Sequence, residues 1–156
     1  MDKKQDNTML VTLPKEKLVP LVRETLDSGS SFILDVTGYS MRPTLNTKGD
    51  RVELVNVFMR PVRKGEIIFF ERDTGDCLLH RVIRLNKDNT FTVNGDAQAW
   101  TEIVETSQVI GVVNSFNRNG KWISCDSFFY RIYSSIWMLF KPVRRVIIKI
   151  KTIVSK

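Results

Sequence analysis

The chain has 156 residues, 42% of them hydrophobic and 26% charged, which is long enough for one domain with a modest core and too apolar for a disordered one. One histidine and two distant cysteines, Cys77 and Cys125, argue against a zinc centre and against a disulfide scaffold; no metal or other cofactor is expected, and the thiols fit a reduced compartment or one optional bridge. The net charge of +7 is local: residues 1–126 balance, while Arg131, Lys141, Arg144, Arg145, Lys149, Lys151 and Lys156 follow with no acid among them.

The first residues, Met1 to Asp6, are polar and carry no apolar core of a signal peptide. No run approaches the ~18 apolar residues of a membrane span. A cytoplasmic protein, or one peripheral on the inner membrane, is expected. Residues 1–11 read as a loose arm. Residues 13–28 read as a helix, with Pro14 in the first turn and Leu18, Leu21, Val22 and Leu26 at helical spacing. Pro20 weakens that span. The segment 27–31, Asp-Ser-Gly-Ser-Ser, is a stop.

Short strands follow. Expected strands are 32–36, 51–57, 67–70, 77–85, 90–94, 109–116 and 122–125, separated by turns at 46–50, 63–66, 74–76 and 117–120. Asn119-Gly120 is a two-residue hairpin signal. Strands at roughly ten-residue spacing predict a mainly β fold, a coiled antiparallel domain over 31–126. An N-terminal arm and helix (1–30) precede it. A basic, amphipathic helical tail (127–156) follows. Its first stripe is Phe128, Phe129, Ile132, Tyr133, Ile136, Trp137 and Phe140; Pro142 breaks it; its second is Val143, Val146, Ile147, Ile150, Ile153 and Val154.

Two stretches carry chemistry. Thr37-Gly38-Tyr39-Ser40-Met41-Arg42-Pro43-Thr44-Leu45 offers a hydroxyl on a turn after a strand. Cys77-Leu78-Leu79-His80-Arg81-Val82-Ile83 holds the sole histidine, which is neutral near pH 7 in its ordinary state. A serine peptidase needs such a pair. Taken singly, Ser40 is explained by a turn and His80 by a core position.

The ordered set is more specific. Ser40-Met41-Arg42-Pro43-Thr44-Leu45, then Gly49-Asp50, Gly65-Glu66, His80-Arg81-Val82 and Gly95-Asp96 resembles, over about 32–113, the serine peptidase clan of type I signal peptidases and LexA-type self-cleaving repressors. His80 in place of lysine is similar to the endoplasmic-reticulum and archaeal branch. Gly95-Asp96-Ala97-Gln98 and Trp137…Pro142-Val143-Arg144-Arg145 look like small stand-alone Bacteroidetes-type members.

The resemblance implies a serine endopeptidase acting on an exported or modified peptide, with Ser40 as nucleophile and His80 as base. Asp96 is the first choice for a carboxylate behind the imidazole, with Glu102 and Glu105 as alternatives and a plain turn role as the competing explanation for Asp96. The family often carries a hydroxyl two residues before the nucleophile; here that residue is Gly38. Met41 is expected to pack beneath the turn, Pro43 to fix the chain leaving it, and Arg81 to face water. Gly49-Asp50 and Gly65-Glu66 are expected to be turn devices.

A rival class is a catalytically inactive β-domain that binds a peptide or assists its maturation. The tail has three explanations: helices docked with a solvated basic face, an interfacial helix pair on an anionic membrane surface, or nucleic-acid binding. In the interfacial case Trp137, Phe128, Phe129 and Tyr133 would sit at headgroup level. Nucleic acid is disfavoured because no helix-turn-helix pattern precedes the β-domain.

Overall fold

A computed structural model describes residues 14–46, 49–141 and 143. The N-terminal arm (1–11) and all of the second apolar stripe except Val143 lie outside the described residues.

Helix α1 runs Lys15–Asp27. Pro20 sits inside it without ending it. The helix closes at Ser28, and Gly29 takes the left-handed φ of +82° that reverses the chain. Val22 and Leu26 are fully buried. Leu26 comes so close to the sheet that a Cβ on Gly111 would stand 2.7 Å from its Cδ1. A side chain at 111 would therefore push the helix off the sheet.

Eight antiparallel strands form one sheet. They are β1 Phe32–Asp35, β2 Arg51–Val55, β3 Ile67–Glu71, β4 Cys77–Leu85, β5 Thr90–Asn94, β6 Glu102–Glu105, β7 Val109–Arg118 and β8 Lys121–Ser124. The order across the sheet is β1-β2-β7-β3-β4-β5-β6, with β8 on the far half of β7. The ten-residue β7 pairs with β3 through its first part and with β2 through Val112–Asn117. Bulges at Glu53/Leu54, Phe69/Phe70 and Val82/Arg84 bend the sheet where β2, β3 and β4 pair with their neighbours. The mainly β architecture with a helix at each end is as expected. β2 stops at Val55 rather than 57 because Asn56 leaves the ladder; its side chain accepts from Phe58 N and donates to Leu26 O and Asp27. β6 was not expected, since Glu-Ile-Val-Glu is short and half charged.

Alternation along β3 and β4 divides the core in two. Ile67, Phe69, Cys77 and Leu79 pack on one face with Val22, Leu26, Met41, Leu54 and Phe116. Ile68, Phe70, Leu78 and Val82 pack on the other with Phe91, Val93, Val104 and Val112. The consecutive residues His80 and Arg81 therefore point to opposite faces. Both cysteines are free thiols, and burial raises Cys125 to about 12, so it is inert at neutral pH.

Helix α2, Phe128–Leu139, starts at Ser127, whose hydroxyl accepts from Tyr130 N. Its two buried residues are Tyr130 and Ser134, one turn apart. Among the described residues no helix is long and apolar enough to cross a membrane.

Candidate active site

The nucleophile candidate sits on a turn clamped from both ends. β1 ends at Asp35, and Val36 N donates to Asp50 O. Thr37, Gly38 and Tyr39 are exposed, Ser40 is half-buried, and Met41 and Leu45 are driven into the core. Leu45 N donates to Met41 O, which tightens the turn. Ala97 N donates to Ser40 O over 2.7 Å. A Cβ on Gly95 would lie 2.8 Å from the same oxygen. Only glycine at 95 lets the 95–101 loop and the serine turn close on each other. Space is open around Gly38, so the missing hydroxyl there reflects residue choice rather than crowding.

Gly95 directly follows Asn94, whose partner on β4 is Arg81, the residue after His80. The Ser40 backbone thus meets the chain just beyond the Arg81–Asn94 pair, where β5 stops. A pocket of about 160 Å³ opens beside it, lined by Ser40, Leu34, Val36, Met41, Phe69 and Leu79 among others.

His80 is fully buried between Phe70 and Trp100, with ring centroids 5.7 and 6.0 Å away. Glu102 Oε1 lies 2.8 Å from Nδ1, close enough for an ion pair but off the line of the ring N–H. The glutamate is gripped from behind by Arg72, whose Nε and Nη2 donate to its two oxygens over 2.7 and 2.9 Å. Arg72 in turn lies over the Trp100 ring. Nε2 has no hydrogen-bond partner among the described residues, Ser40 Oγ included. Burial lowers the His80 pKa below its ordinary value; Glu102 pulls the other way and is outweighed. The imidazole is neutral at pH 7, with a buried nitrogen to spare.

Asp96 lies elsewhere. Its carboxylate takes Nε and Nη2 of Arg81 over 2.9 and 2.6 Å, and the Thr44 hydroxyl donates to it. Arg81 is buried rather than solvent-facing. Its Nη1 donates to Gly65 O, Tyr130 OH and Ser134 Oγ over 2.9, 3.1 and 2.8 Å. Burial alone would lower the Arg81 pKa; Asp96 more than offsets this and raises it. Asp96 is thus the counter-ion of Arg81, and Glu102 is the carboxylate in contact with the imidazole. Glu105 lies at the far end of β6, where its side chain takes part in capping the 3-10 turn at Thr106–Gln108.

The two turns expected to be mere devices hold buried charge as well. Asp50 accepts from Asn46 N, and Glu66 forms a two-point contact with the buried Arg60. Among the described residues no group of His, Cys, Asp and Glu could hold a metal ion.

No protein-family model and no curated protein matches this chain.

Proposed function

We propose that the protein is a serine endopeptidase that attacks an extended peptide with Ser40, using His80 as base and Glu102 as its orienting acid. The observation that carries this is the fully buried, neutral His80, with an acid against Nδ1 and an Nε2 unpartnered among the described residues, on the strand whose neighbour β5 runs into the loop that bonds Ser40 O. Buried polar atoms without partners are rare, and they concentrate where chemistry needs them.

Ser40 Oγ adds to the scissile carbonyl as its proton passes to His80 Nε2. The Ser40 N–H is the nearest donor for the oxyanion. Collapse breaks the C–N bond, and Nε2 returns the proton to the leaving amine. Water then adds to the acyl-serine, giving its proton to Nε2; the C–Oγ bond breaks as Nε2 returns that proton to Ser40 Oγ, and the product leaves with its new carboxyl group. Glu102 opposes the transient imidazolium charge. In a free enzyme the Oγ–Nε2 hydrogen bond is often absent and forms only with substrate.

The lining by Leu34, Val36, Met41, Phe69 and Leu79 favours an apolar substrate side chain in the pocket. Among the described residues β1 is an outer strand, so its edge suits a peptide added in extended form. The likeness of Ser40–Leu45 and His80–Val82 to the signal peptidase clan supports an exported or modified peptide as substrate.

The test is a fluorophosphonate probe followed by peptide mass mapping. Label on Ser40, lost in Ser40→Ala and slowed in His80→Ala, is the expected result; an unlabelled Ser40 overturns the proposal. A second function, peptide binding without cleavage, is favoured by the absent Oγ–Nε2 hydrogen bond. It predicts a peptide held uncleaved and no labelling.

A further inference from the structure

Helix α2 is inside out for a protein surrounded by water. An amphipathic helix on an aqueous surface turns its apolar side inward. Here the inward side presents Tyr130 and Ser134, which bond Arg81, and Tyr133, whose hydroxyl meets Thr44 over 3.0 Å. Trp137 stacks on Tyr133 and is half-buried. The outward side presents Phe128, Phe129, Ile132, Ile136, Leu139 and Phe140; Phe129 is 83% exposed and Leu139 76%. These residues follow helical spacing, so they form one contiguous band. Single exposed apolar residues are ordinary, but a band of this length on one helix marks an interaction surface.

The surroundings of the band choose its partner. On the α2 side of the docking contact, the exposed Arg63 and Lys64 and the helix residues Arg131 and Ser135 line a common recess beside the helix. After Asp126 the chain carries seven basic residues and no acid. The two acids that border the recess, Asp126 and Glu66, are both paired with Arg60, whose Nη1 meets Asp126 over 2.7 Å. That same contact places the neighbouring turn, with the exposed Phe58 and Met59, near the start of α2. A second copy of the chain would bring the same positive charge against itself. A surface that is apolar at its centre and bordered by more cations than acids fits an anionic lipid interface.

We propose that the outward face of α2 is a membrane-surface anchor, with Phe128, Phe129, Ile132, Ile136 and Leu139 entering the acyl boundary of an anionic leaflet and Arg63, Lys64 and Arg131 contacting headgroups. Tyr133 and Trp137 belong to the docked side, Tyr133 meeting Thr44 and Trp137 stacking on Tyr133, rather than sitting at headgroup level as the interfacial reading of the sequence has them. The anchor lies along the surface and spans nothing. It is independent of the proposed peptidase chemistry, since an inactive domain would be held in the same way.

The experiment is co-sedimentation of the full chain with phosphatidylcholine vesicles, with and without phosphatidylglycerol. Binding to the mixed vesicles is expected, weakened by salt and reduced about tenfold in Phe129→Ser/Ile132→Ser/Ile136→Ser. These side chains are exposed, so the variant should keep its circular dichroism. Should it fail to fold, Phe129→Trp replaces it. Its emission should shift to the blue on mixed vesicles and be quenched by brominated lipid. Equal binding by wild type and triple variant, no binding by wild type, or an unquenched Trp at 129 overturns the anchor. A concentration-dependent dimer that the triple variant abolishes also overturns it, and gives the face to a second copy.

Discussion

His80 and Arg81 are neighbours in β4, both buried, both beside a carboxylate, yet they have opposite characters. Arg81 faces the α2 side, and each of its three guanidinium nitrogens meets an acceptor: Asp96, Thr44, Gly65 O, Tyr130 and Ser134. His80 faces the other side, with Glu102 against one nitrogen and no hydrogen-bond partner on the other among the described residues. A saturated buried charge is a structural brace; it costs much to break and has no capacity left for a substrate. An under-satisfied buried base keeps that capacity. One pleat of one strand thus separates a group that holds the fold together from a group that can move a proton.

The contrast can be broken at either residue. The largest effect is expected at the nucleophile: Ser40→Ala should lower peptide cleavage by about 10⁶ while leaving the melting temperature nearly unchanged, as kinetics and thermal denaturation on one preparation would record. Arg81→Ala should do the reverse in kind. It strands Asp96 in the interior, so chemical denaturation should show a loss of about 3–5 kcal/mol.

Smaller changes sharpen the His80 side. Glu102→Gln should lower kcat/KM by about 10²-fold, because the transient imidazolium loses its counter-charge. Glu102 raises the His80 pKa, so the same substitution should move the acidic limb of the pH–rate profile to lower pH. In the wild type that limb should lie below the ordinary histidine value, because burial lowers the folded-state pKa. Sign follows for stability too: the unfolded chain binds the proton more readily, so as pH falls from about 6.5 through the folded pKa the fold should weaken, which urea titrations at graded pH would measure. The smallest effect is expected for Arg72→Ala. Arg72 pulls the His80 pKa down, so its removal should shift the acidic limb upward with only a several-fold loss of rate.

Ser40 and His80 stand out in the sequence because each lies in an ordered string of short motifs. Their support stands out less. Asp96 follows a glycine in a turn signal, which draws attention, whereas Glu102 begins a four-residue strand whose two charges hide it among surface segments. Only its pairing with β5, Val93 opposite Glu102, sets it facing the imidazole. Arg81 reads as a solvent residue because burial of a guanidinium depends on partners scattered from 44 to 134. The direction of α2 is left open by the sequence for a related reason. Periodicity locates an apolar stripe but not the way it turns, and here the inward side is chosen by hydroxyls that meet Arg81.

Arg81 also decides where this molecule can be cut. The change in composition at 126/127 suggests a detachable appendage, yet Tyr130 and Ser134 complete the coordination of a cation whose other partners lie in the turns at Gly65 and Asp96 and in the turn of Ser40. A chain ended at 126 would leave that guanidinium short of two acceptors and open the Thr44 end of the serine turn to solvent. The compositional boundary is not a folding boundary, and trimming the chain there would disable the very region that a minimal version was meant to isolate.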